Sequence, residues 1–176
     1  MVTEDIRKQA RAGDSQAFRK LYEDIQNEMY RMAYYLLQNK EDAEDAVSEA
    51  FIDMYKGISK LKKCEAFKSW AIKILSAKCK RKMREYSIKR DEETVEFTEE
   101  QCVSNQDVIG QINMRTDIMK AMCVLDEVEQ MIVVCTAVAG MSSDEVGVIT
   151  GLKSATVRTK LRRALEKLKK RLEVGV

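Results

Sequence analysis

The 176-residue chain contains no proline, and that absence constrains its fold more than any other feature of the sequence. Proline breaks helix interiors, so a chain without it can form long helices. Only 6 % of the residues are aromatic, which argues weakly against a large sheet. Apolar residues also recur at steps of three and four, as they do on one face of a helix. We therefore predict an all-α protein.

Helical patterns fill most of the first half of the chain. A short helix is expected from about Glu4 to Ala12, and a later long helix begins with Phe67, Trp70, Ala71 and Ile74. Two long helices are predicted between them, the second of which stops at Gly57. Their apolar faces consist of Phe18, Leu21, Tyr22, Ile25, Met29, Met32 and Leu36, and then of Ala43, Ala46, Val47, Ala50, Phe51 and Met54.

The last part of the chain predicts a helix-turn-helix. A helix marked by Val128, Met131, Ile132 and Cys135 ends by Gly140, and Ser142 or Ser143 can cap the short helix that follows. Gly151 then supplies a tight turn, where a positive φ is cheap for glycine. The final helix is amphipathic and basic, which completes the motif. Its expected inner face consists of Val157, Leu161, Ala164, Leu165, Leu168 and Leu172.

Charges are segregated along the chain, although the net charge is only +2. Lys56 to Arg90 contains 13 basic residues against two acids, and Lys153 to Glu173 contains nine against two. Between them, Asp91 to Gln101 has six acids and no base, and helical periodicity is lost from about residue 87. We read this stretch as a flexible acidic linker. The predicted organisation is a domain at 1–86, a linker at 87–111 and a helix-turn-helix domain at 112–176.

Several classes of function are disfavoured by composition. There is no histidine, which removes the usual general base and the commonest metal ligand. The five cysteines form no CxxC pair and are expected to be reduced thiols. We therefore predict no catalytic residue, no metal site and no cofactor. The N-terminus lacks the apolar core of a signal peptide, and the longest apolar run, Met131 to Ala139, is too short for a membrane span. A cytoplasmic protein without membrane insertion is expected.

The final helix carries the strongest candidate site. The second helix of a helix-turn-helix enters the DNA major groove and presents its N-terminal residues to base edges. Arginine can pair with guanine, serine and threonine reach bases or phosphates, and an alanine methyl packs on thymine. Lys153, Lys160, Arg163 and Lys167 are better placed to neutralise phosphates. The alternative is a solvated basic face. The residues predicted to read bases are Ser154, Ala155, Arg158, Thr159 and Arg162.

Two further charged groups leave alternatives open. An acidic stripe, formed by Asp42, Asp45, Glu49 and Asp53 at helical spacing, is either a solvated face or a docking face for a basic protein. The basic end of the third long helix is either plain surface or a second nucleic-acid contact. Trp70 is expected in the core rather than as a base-stacking platform. The basic residues concerned are Lys78, Lys80, Arg81, Lys82 and Arg84.

Over nearly its whole length the sequence resembles the extracytoplasmic-function sigma factors. ARAGDSQAFRKLY (10–22) is similar to the opening helix pair of that family, and FKSWAIKIL (67–75) to the helix after its minus-ten-reading loop. DAEDAVSEAFIDMYKGI (42–58) resembles the helix that docks on polymerase. GMSSDEVGVITGLKSATVRTKLRRALEKLKKRL (140–172) resembles the helix-turn-helix that reads the minus-thirty-five element. The resemblance implies a non-catalytic RNA polymerase subunit that directs promoter recognition, DNA melting and initiation.

The same resemblance implies partners and site residues. It assigns the acidic stripe to the clamp of the largest polymerase subunit, and it implies contact with the flap of the second subunit, with promoter DNA and with an anti-sigma factor. It assigns the loop from Ile58 to Phe67 and the helix after it to opening the minus-ten element, where a base is taken out of the stack. It also adds Arg163 to the minus-thirty-five contacts. The residues expected at the minus-ten element, here called the minus-ten group, are Lys62, Lys63, Lys73, Lys80, Arg81 and Arg84.

Some positions depart from the family pattern. Relatives often have Asn at Ala77, Asp near Arg81 and Pro at Asp126, and a small Ala usually stands at Gly147. A helical glycine is expected to cost about 1 kcal/mol there. Two rival readings are a stand-alone DNA-binding regulator and a decoy that sequesters polymerase; an enzyme is more distant. The linker acids are either mimics of nucleic-acid charge or part of a plain tether: Asp91, Glu92, Glu93, Glu96, Glu99 and Glu100. Promoter sequence, regulon and inducing signal are not encoded in any motif of the chain.

Overall fold

The computed structural model describes residues 4–92 and 112–173, and every regular element in these ranges is helical. The α-helices are α1 (Glu4–Arg11), α2 (Ser15–Leu37), α3 (Lys40–Gly57), α4 (Phe67–Glu92), α5 (Ile112–Met122), α6 (Glu127–Ala137), α7 (Ser143–Thr150) and α8 (Ser154–Glu173). Two short 3-10 turns, Ile58–Lys60 and Cys64–Ala66, join α3 to α4. The predicted all-α fold with two helical bodies is confirmed. We call α1–α4 the first unit and α5–α8 the second unit.

Side-chain caps set where the first long helices begin. The Asp14 carboxylate accepts hydrogen bonds from the Gln16 and Ala17 amides at the start of α2, at 2.8 and 3.0 Å. Helix α2 ends at Gln38, which adopts a left-handed φ of 51°. The Asn39 side chain then accepts from the Asp42 amide and starts α3. Because a two-residue connection reverses the chain, α2 and α3 pack side by side.

The predicted apolar faces of α2 and α3 form the core of the first unit. Every predicted position in α2 is buried except Tyr22, and every one in α3 is buried except Phe51. Those two rings are half-buried and meet edge to face, with centroids 4.6 Å apart. Trp70 also packs, half-buried, against this core, in agreement with the prediction. Its ring lies close enough to Gly57 that an added Cβ there would meet it at 3.1 Å.

Two capping boxes build the helix-turn-helix of the second unit. Asp126 and Glu129 exchange hydrogen bonds at the start of α6, and Ser142 and Glu145 do the same at the start of α7. Each pair satisfies two backbone N–H groups that the helix leaves free. Gly151 ends α7 with a φ of 77°, as the turn requires. The predicted helix-turn-helix is therefore present, with Ser142 rather than Ser143 as the cap.

The buried face of α8 is narrower than predicted. Val157 and Ala164 are buried and Leu161 and Leu168 are half-buried, so α8 packs along one strip at steps of four, three and four. The predictions that Leu165 and Leu172 face inward are wrong, since these residues are 49 % and 44 % exposed. Short partner helices cover only that single strip. Val128, in the first turn of α6, is likewise 37 % exposed rather than buried.

Helix α4 continues through Glu92, past the predicted domain boundary at residue 86. No glycine or proline interrupts α4, and Tyr86 and Ser87 near its end make side-chain hydrogen bonds to Asp42 and Glu127. The first residues of the predicted linker are therefore helical. Residues 93–111, which hold most of the predicted acidic linker, lie outside the described residues. The domain boundaries stay a prediction.

The two units contact each other. Helix α2 packs on α6 and α4 packs on α7, and the buried residues of both units form one continuous cluster. Cys79 of α4 and Cys135 of α6 are fully buried and act as small apolar residues, whereas Cys123 is partly exposed. Across the described ranges, none of the helices combines the length and the apolar character needed to cross a bilayer.

Gly147 of α7 occupies a position that admits no side chain. A Cβ built there would lie 2.6 Å from the Leu152 carbonyl oxygen, and the Leu152 amide donates to the Gly147 carbonyl at 3.1 Å. The expectation that glycine merely weakens this helix is therefore incomplete. The missing side chain lets the turn that leads to α8 approach the backbone of α7.

We predict that Gly147→Ala lowers the free energy of unfolding. The clash with the Leu152 carbonyl, typically 1–3 kcal/mol for overpacking, is expected to exceed the gain of about 1 kcal/mol in helix propensity. Chemical denaturation monitored by circular dichroism measures the change. Val148→Ala, at the adjacent exposed position, is the control and should unfold close to wild type. A Gly147→Ala chain more stable than wild type would contradict the role of the close approach.

Candidate nucleic-acid and protein interfaces

The N-terminal half of the acidic stripe is anchored to α4. The Asp42 carboxylate accepts a hydrogen bond from Lys82 Nζ at 2.5 Å and another from the Tyr86 hydroxyl. The pair with Asp42 raises the pKa of Lys82, so this lysine remains charged. Asp45 lies 3.6 Å from the same ammonium group, but its side chain is 71 % exposed. Asp42 therefore holds α3 against α4, and Asp45 faces outward.

The C-terminal half of the stripe is also paired. The Arg81 guanidinium donates to both Glu49 carboxylate oxygens at 2.7 and 2.8 Å, and Lys78 lies 2.5 Å from Asp53. The Arg81 hydrogen bond lowers the pKa of Glu49, and the Lys78 hydrogen bond lowers the pKa of Asp53. Both carboxylates are therefore ionised at neutral pH. Three predicted stripe residues neutralise basic residues of α4, which leaves Asp45 as the least engaged member.

Two large apolar residues share the exposed side of α3 with Asp45. Ile52 is 48 % exposed and lies seven positions, or two helical turns, after Asp45. Tyr55 is 50 % exposed, and its ring also touches Phe18 edge to face at 5.2 Å. Neither residue was among the predicted site residues. The sequence could have indicated Ile52 and Tyr55 as contact residues, because both are large apolar residues that fall outside the predicted buried face of α3.

The minus-ten group does not form a uniform basic surface. Lys62 and Lys63 are exposed between the two 3-10 turns, and Lys73 and Arg84 are exposed on α4. Arg81 is held by Glu49. The four exposed members point away from the core and can meet a phosphate backbone, whereas Arg81 is committed within the first unit.

Lys80 contacts the second unit instead of solvent. Its ammonium group donates to the Ile149 carbonyl near the end of α7 at 2.7 Å. A cation at that end also interacts favourably with the helix dipole. Beside this contact lies a cleft of about 420 Å³, and Lys62, Lys63 and Lys73 are among the residues that line it. Its other lining residues are Leu61, Ala66, Ser69 and Trp70 of the first unit and Met141, Glu145, Val148 and Ile149 of the second.

The predicted base-reading residues lie together on the first half of α8. Ala155, Arg158, Thr159, Arg162 and Arg163 are exposed there, and Ser154 is half-buried. The Thr159 hydroxyl donates to the Ala155 carbonyl at 3.1 Å, and Arg162 lies 4.0 Å from Glu166. Within the described residues, Arg158 and Arg163 make no hydrogen bond or ion pair. These two guanidinium groups are therefore the ones most available to DNA.

Two lysines predicted to contact phosphates have partners within the second unit. Lys167 Nζ donates to both carboxylate oxygens of Glu129 at 2.7 and 2.8 Å, and Glu129 is only 5 % exposed. Lys160 lies 3.7 Å from Asp126. A buried carboxylate needs a partner, so Lys167 has a structural task at the base of α6. This pairing gives Lys167 a role in helix packing, and its contact with phosphate stays a prediction.

Within the described parts of the chain, no group of three or more His, Cys, Asp or Glu side chains is placed to hold a metal ion.

Comparison with known proteins identifies matches in both units. The family model described as Sigma-70 region 2 matches residues 21–87, and that described as Sigma-70, region 4 matches residues 115–168. The ECF RNA polymerase sigma factor SigW of Bacillus subtilis is 25 % identical over 175 residues, which is 94 % of each chain. RNA polymerase sigma factor SigV of the same organism is 28 % identical over 146 residues, covering 81 % of this chain and 83 % of that one.

A solved structure shares the fold. The sigma factor RpoE, in complex with the anti-sigma factor NepR from Bartonella quintana, aligns with a TM-score of 0.75 at 19 % identity. The alignment covers 90 % of this chain and 98 % of that one. At this identity the likeness concerns the fold alone.

We predict that Lys167→Met lowers stability, whereas Arg163→Met weakens DNA binding. Loss of the Lys167 ammonium leaves the buried Glu129 carboxylate short of a partner, so stability should fall by about 1–3 kcal/mol. Loss of Arg163 should leave stability unchanged but reduce the slope of log affinity for DNA against log salt concentration by about 0.9. Denaturation curves and salt-dependent fluorescence anisotropy measure the two quantities. Equal salt slopes in wild type and Arg163→Met would remove Arg163 from the DNA contacts.

Proposed function

The chain belongs to the extracytoplasmic-function branch of the sigma-70 family, and we propose here which of its residues bind RNA polymerase and which bind each promoter element. It is an RNA polymerase sigma factor. As such a factor it directs promoter recognition and transcription initiation. The observation that carries the residue assignments is that well-packed helices hold the exposed charged side chains: Asp45 on α3, Lys73 and Arg84 on α4, and Arg158 and Arg163 on α8. Family members are generally non-enzymatic, and we propose that this chain has no catalytic activity.

We place polymerase docking on the outer face of α3. Asp45 offers a carboxylate to a basic partner, and Ile52 and Tyr55 beside it offer apolar area to bury. Charged groups steer association, while apolar contact supplies much of the affinity. Asp42, Glu49 and Asp53 support this face because their pairs with α4 hold α3 in place. The expected partner surface is the clamp of the largest subunit of polymerase.

We place minus-thirty-five recognition on the first half of α8. Arg158 is exposed and unpaired among the described residues, so its guanidinium can pair bidentately with guanine in the major groove. Ser154, Ala155, Thr159 and Arg162 lie beside it. Arg163 contacts phosphate. Contact of the second unit with the flap of the second polymerase subunit is a further expectation, for which the exposed Leu165 and Leu172 supply apolar area.

We place minus-ten opening on the segment from Ile58 through the first turns of α4. Lys62, Lys63 and Lys73 surround the cleft there, and Arg84 extends the basic surface along α4. Their charges attract the DNA backbone, and an unpaired base is held in a protein pocket after leaving the stack. The chain departs from the family pattern at Ala77, which is exposed, and at Arg81, which is bound to Glu49. Neither departure removes one of the four exposed cations.

The remaining partners follow from the family. The solved relative RpoE is bound to an anti-sigma factor, and we propose that a protein of that class also regulates this chain. We expect the chain to act in the cytoplasm, where polymerase and promoter DNA are found.

The deciding experiment is reconstituted transcription. We expect the purified chain with core polymerase to produce discrete promoter-specific transcripts from genomic DNA, and sequencing of those transcripts defines the promoter. Core polymerase alone is the control. Binding to polymerase without transcripts would instead support a decoy. DNA binding with no affinity for polymerase would support a stand-alone regulator.

We predict that Asp45→Lys weakens binding to core polymerase at least tenfold, or ~1.4 kcal/mol. The Asp45 side chain is 71 % exposed and its contact with Lys82 is long, at 3.6 Å, so charge reversal should lower the melting temperature only slightly. Glu49→Lys is a poorer test, because it would also place a cation against Arg81. Glu44→Lys is the matched control: it makes the same charge change on α3 but faces Tyr30 of α2. Equal losses of affinity in both variants would indicate a general charge effect rather than a docking face.

A further inference from the structure

The cleft beside Trp70 has the composition of a small-molecule site. Its volume of about 420 Å³ falls within the range of roughly 300–1,000 Å³ that such sites usually occupy. Leu61 and Met141 contribute buried apolar side chains to its lining, and Trp70 and Ile149 contribute half-buried ones. Val148 of α7 also lines the cleft, although this side chain is 64 % exposed. The cleft therefore offers apolar surface that the fold leaves partly uncovered.

Lysines supply positive charge to the same cleft. Within the described residues, no hydrogen bond or ion pair engages the exposed ammonium groups of Lys62, Lys63 and Lys73. Glu145, the acidic residue of the lining, is by contrast engaged, because its carboxylate accepts hydrogen bonds from the Ser69 hydroxyl and from the residue that caps α7. These hydrogen bonds lower the pKa of Glu145 and hold its charge at one wall. The positive charges of the cleft thus exceed its negative charge.

Apolar walls combined with lysines favour a ligand that has an apolar body and a negatively charged head. Removing an alkyl or aromatic body from water is favourable, and long lysine side chains can lie along that body while their ammonium groups stay in water. A small inorganic anion would leave the apolar walls wet, and an alkyl cation would be repelled by the lysines. An acidic protein segment has the right charge, but a cleft of this volume matches one small molecule.

We propose that this cleft binds a small amphipathic anion, with the apolar body against Trp70 and Val148 and the anionic head on the lysines. The three lysines of the cleft also belong to the minus-ten group. Ligand and minus-ten DNA therefore compete for the same ammonium groups, and the ligand lowers transcription from the promoter. This competition rests on the proposed function, whereas the binding site itself does not.

Trp70 makes occupancy of the cleft measurable, because it is the one tryptophan of the sequence. Its fluorescence is titrated with decanoate in the full chain, calorimetry gives the stoichiometry, and circular dichroism checks that the helices persist. We expect saturation at one equivalent of decanoate. Affinity should be at least tenfold lower for acetate, which lacks the apolar body, and for decyltrimethylammonium, which reverses the charge. No binding of decanoate, several equivalents of it, or equal binding of the alkyl cation would overturn the site.

A pair of valine variants tests where the apolar body lies. Val148→Asp places a carboxylate in the lining of the cleft and should weaken decanoate binding at least tenfold. Val124→Asp is the matched control, since it makes the same change at an exposed valine outside the lining and should bind decanoate as wild type does. Melting temperatures verify that both variants are folded. Equal affinities of the two variants for decanoate would overturn the location.

A pair of lysine variants tests where the anionic head lies. Lys63→Gln combined with Lys73→Gln should weaken decanoate binding at least tenfold and make the remaining binding less sensitive to salt. Lys56→Gln combined with Lys60→Gln is the matched control, because it removes the same charge from exposed lysines outside the lining. Equal losses of affinity in the two double variants would show a general charge effect and overturn the assignment of the head group.

Competition with DNA is tested by reconstituted transcription with the full chain and core polymerase. Saturating decanoate should reduce promoter-specific transcripts at least fivefold with wild type. With Val148→Asp it should have no effect relative to that variant's own level, which also controls for any action on polymerase. Unchanged wild-type transcription at saturation would overturn the competition, while the assignment as a sigma factor would stand. Absence of transcripts before decanoate is added would instead contradict the proposed function and leave the fluorescence result intact.

Discussion

The ion pairs between α3 and α4 determine which charges of the first unit remain available to partners. Helix α3 carries mostly acidic side chains and α4 mostly basic ones, and packing them side by side places three basic residues of α4 in ion pairs with α3. Asp42, Glu49 and Asp53 are held by Lys82, Arg81 and Lys78. Most of these side chains are partly solvated, so each pair contributes little stability by itself. Their combined effect is to orient α3, so that its exposed side presents the Asp45 carboxylate together with Ile52 and Tyr55.

The second unit applies the same principle with a more deeply buried group. Glu129 starts α6 as part of a capping box and simultaneously anchors Lys167 of α8. One carboxylate thereby links the start of α6 to the second half of α8. The basic charge left over is concentrated in the first half of α8, around Arg158 and Arg163. In both units, ion pairs within the fold neutralise part of a strongly charged helix. A small set of exposed charged groups then remains available to partners.

The elements could be predicted from the sequence because their signals are local. Apolar periodicity located α2 and α3, and the Ser142–Glu145 spacing and Gly151 marked the helix-turn-helix. The errors concern partners distant in sequence. Net charge along a segment does not tell which basic residue meets which carboxylate, so the pairs of Lys167 with Glu129 and of Arg81 with Glu49 were not predicted. Leu165 and Leu172 were placed inside because periodicity gives the direction of an apolar face but not the width that neighbouring helices cover. The contact of Lys80 with α7 lies 69 positions away along the chain.

The close approach of Gly147 to Leu152 has a consequence for how promoter preference can diversify. The crossing of α7 and α8 is set by backbone meeting backbone, with no side chain interposed between them. Side chains on the outer surface of α8 take no part in that junction. Substitutions at the exposed Ala155 or Arg158 can therefore change which bases are preferred while the angle at which the helix enters the groove is preserved. Binding geometry and sequence preference become separately adjustable properties of one small motif.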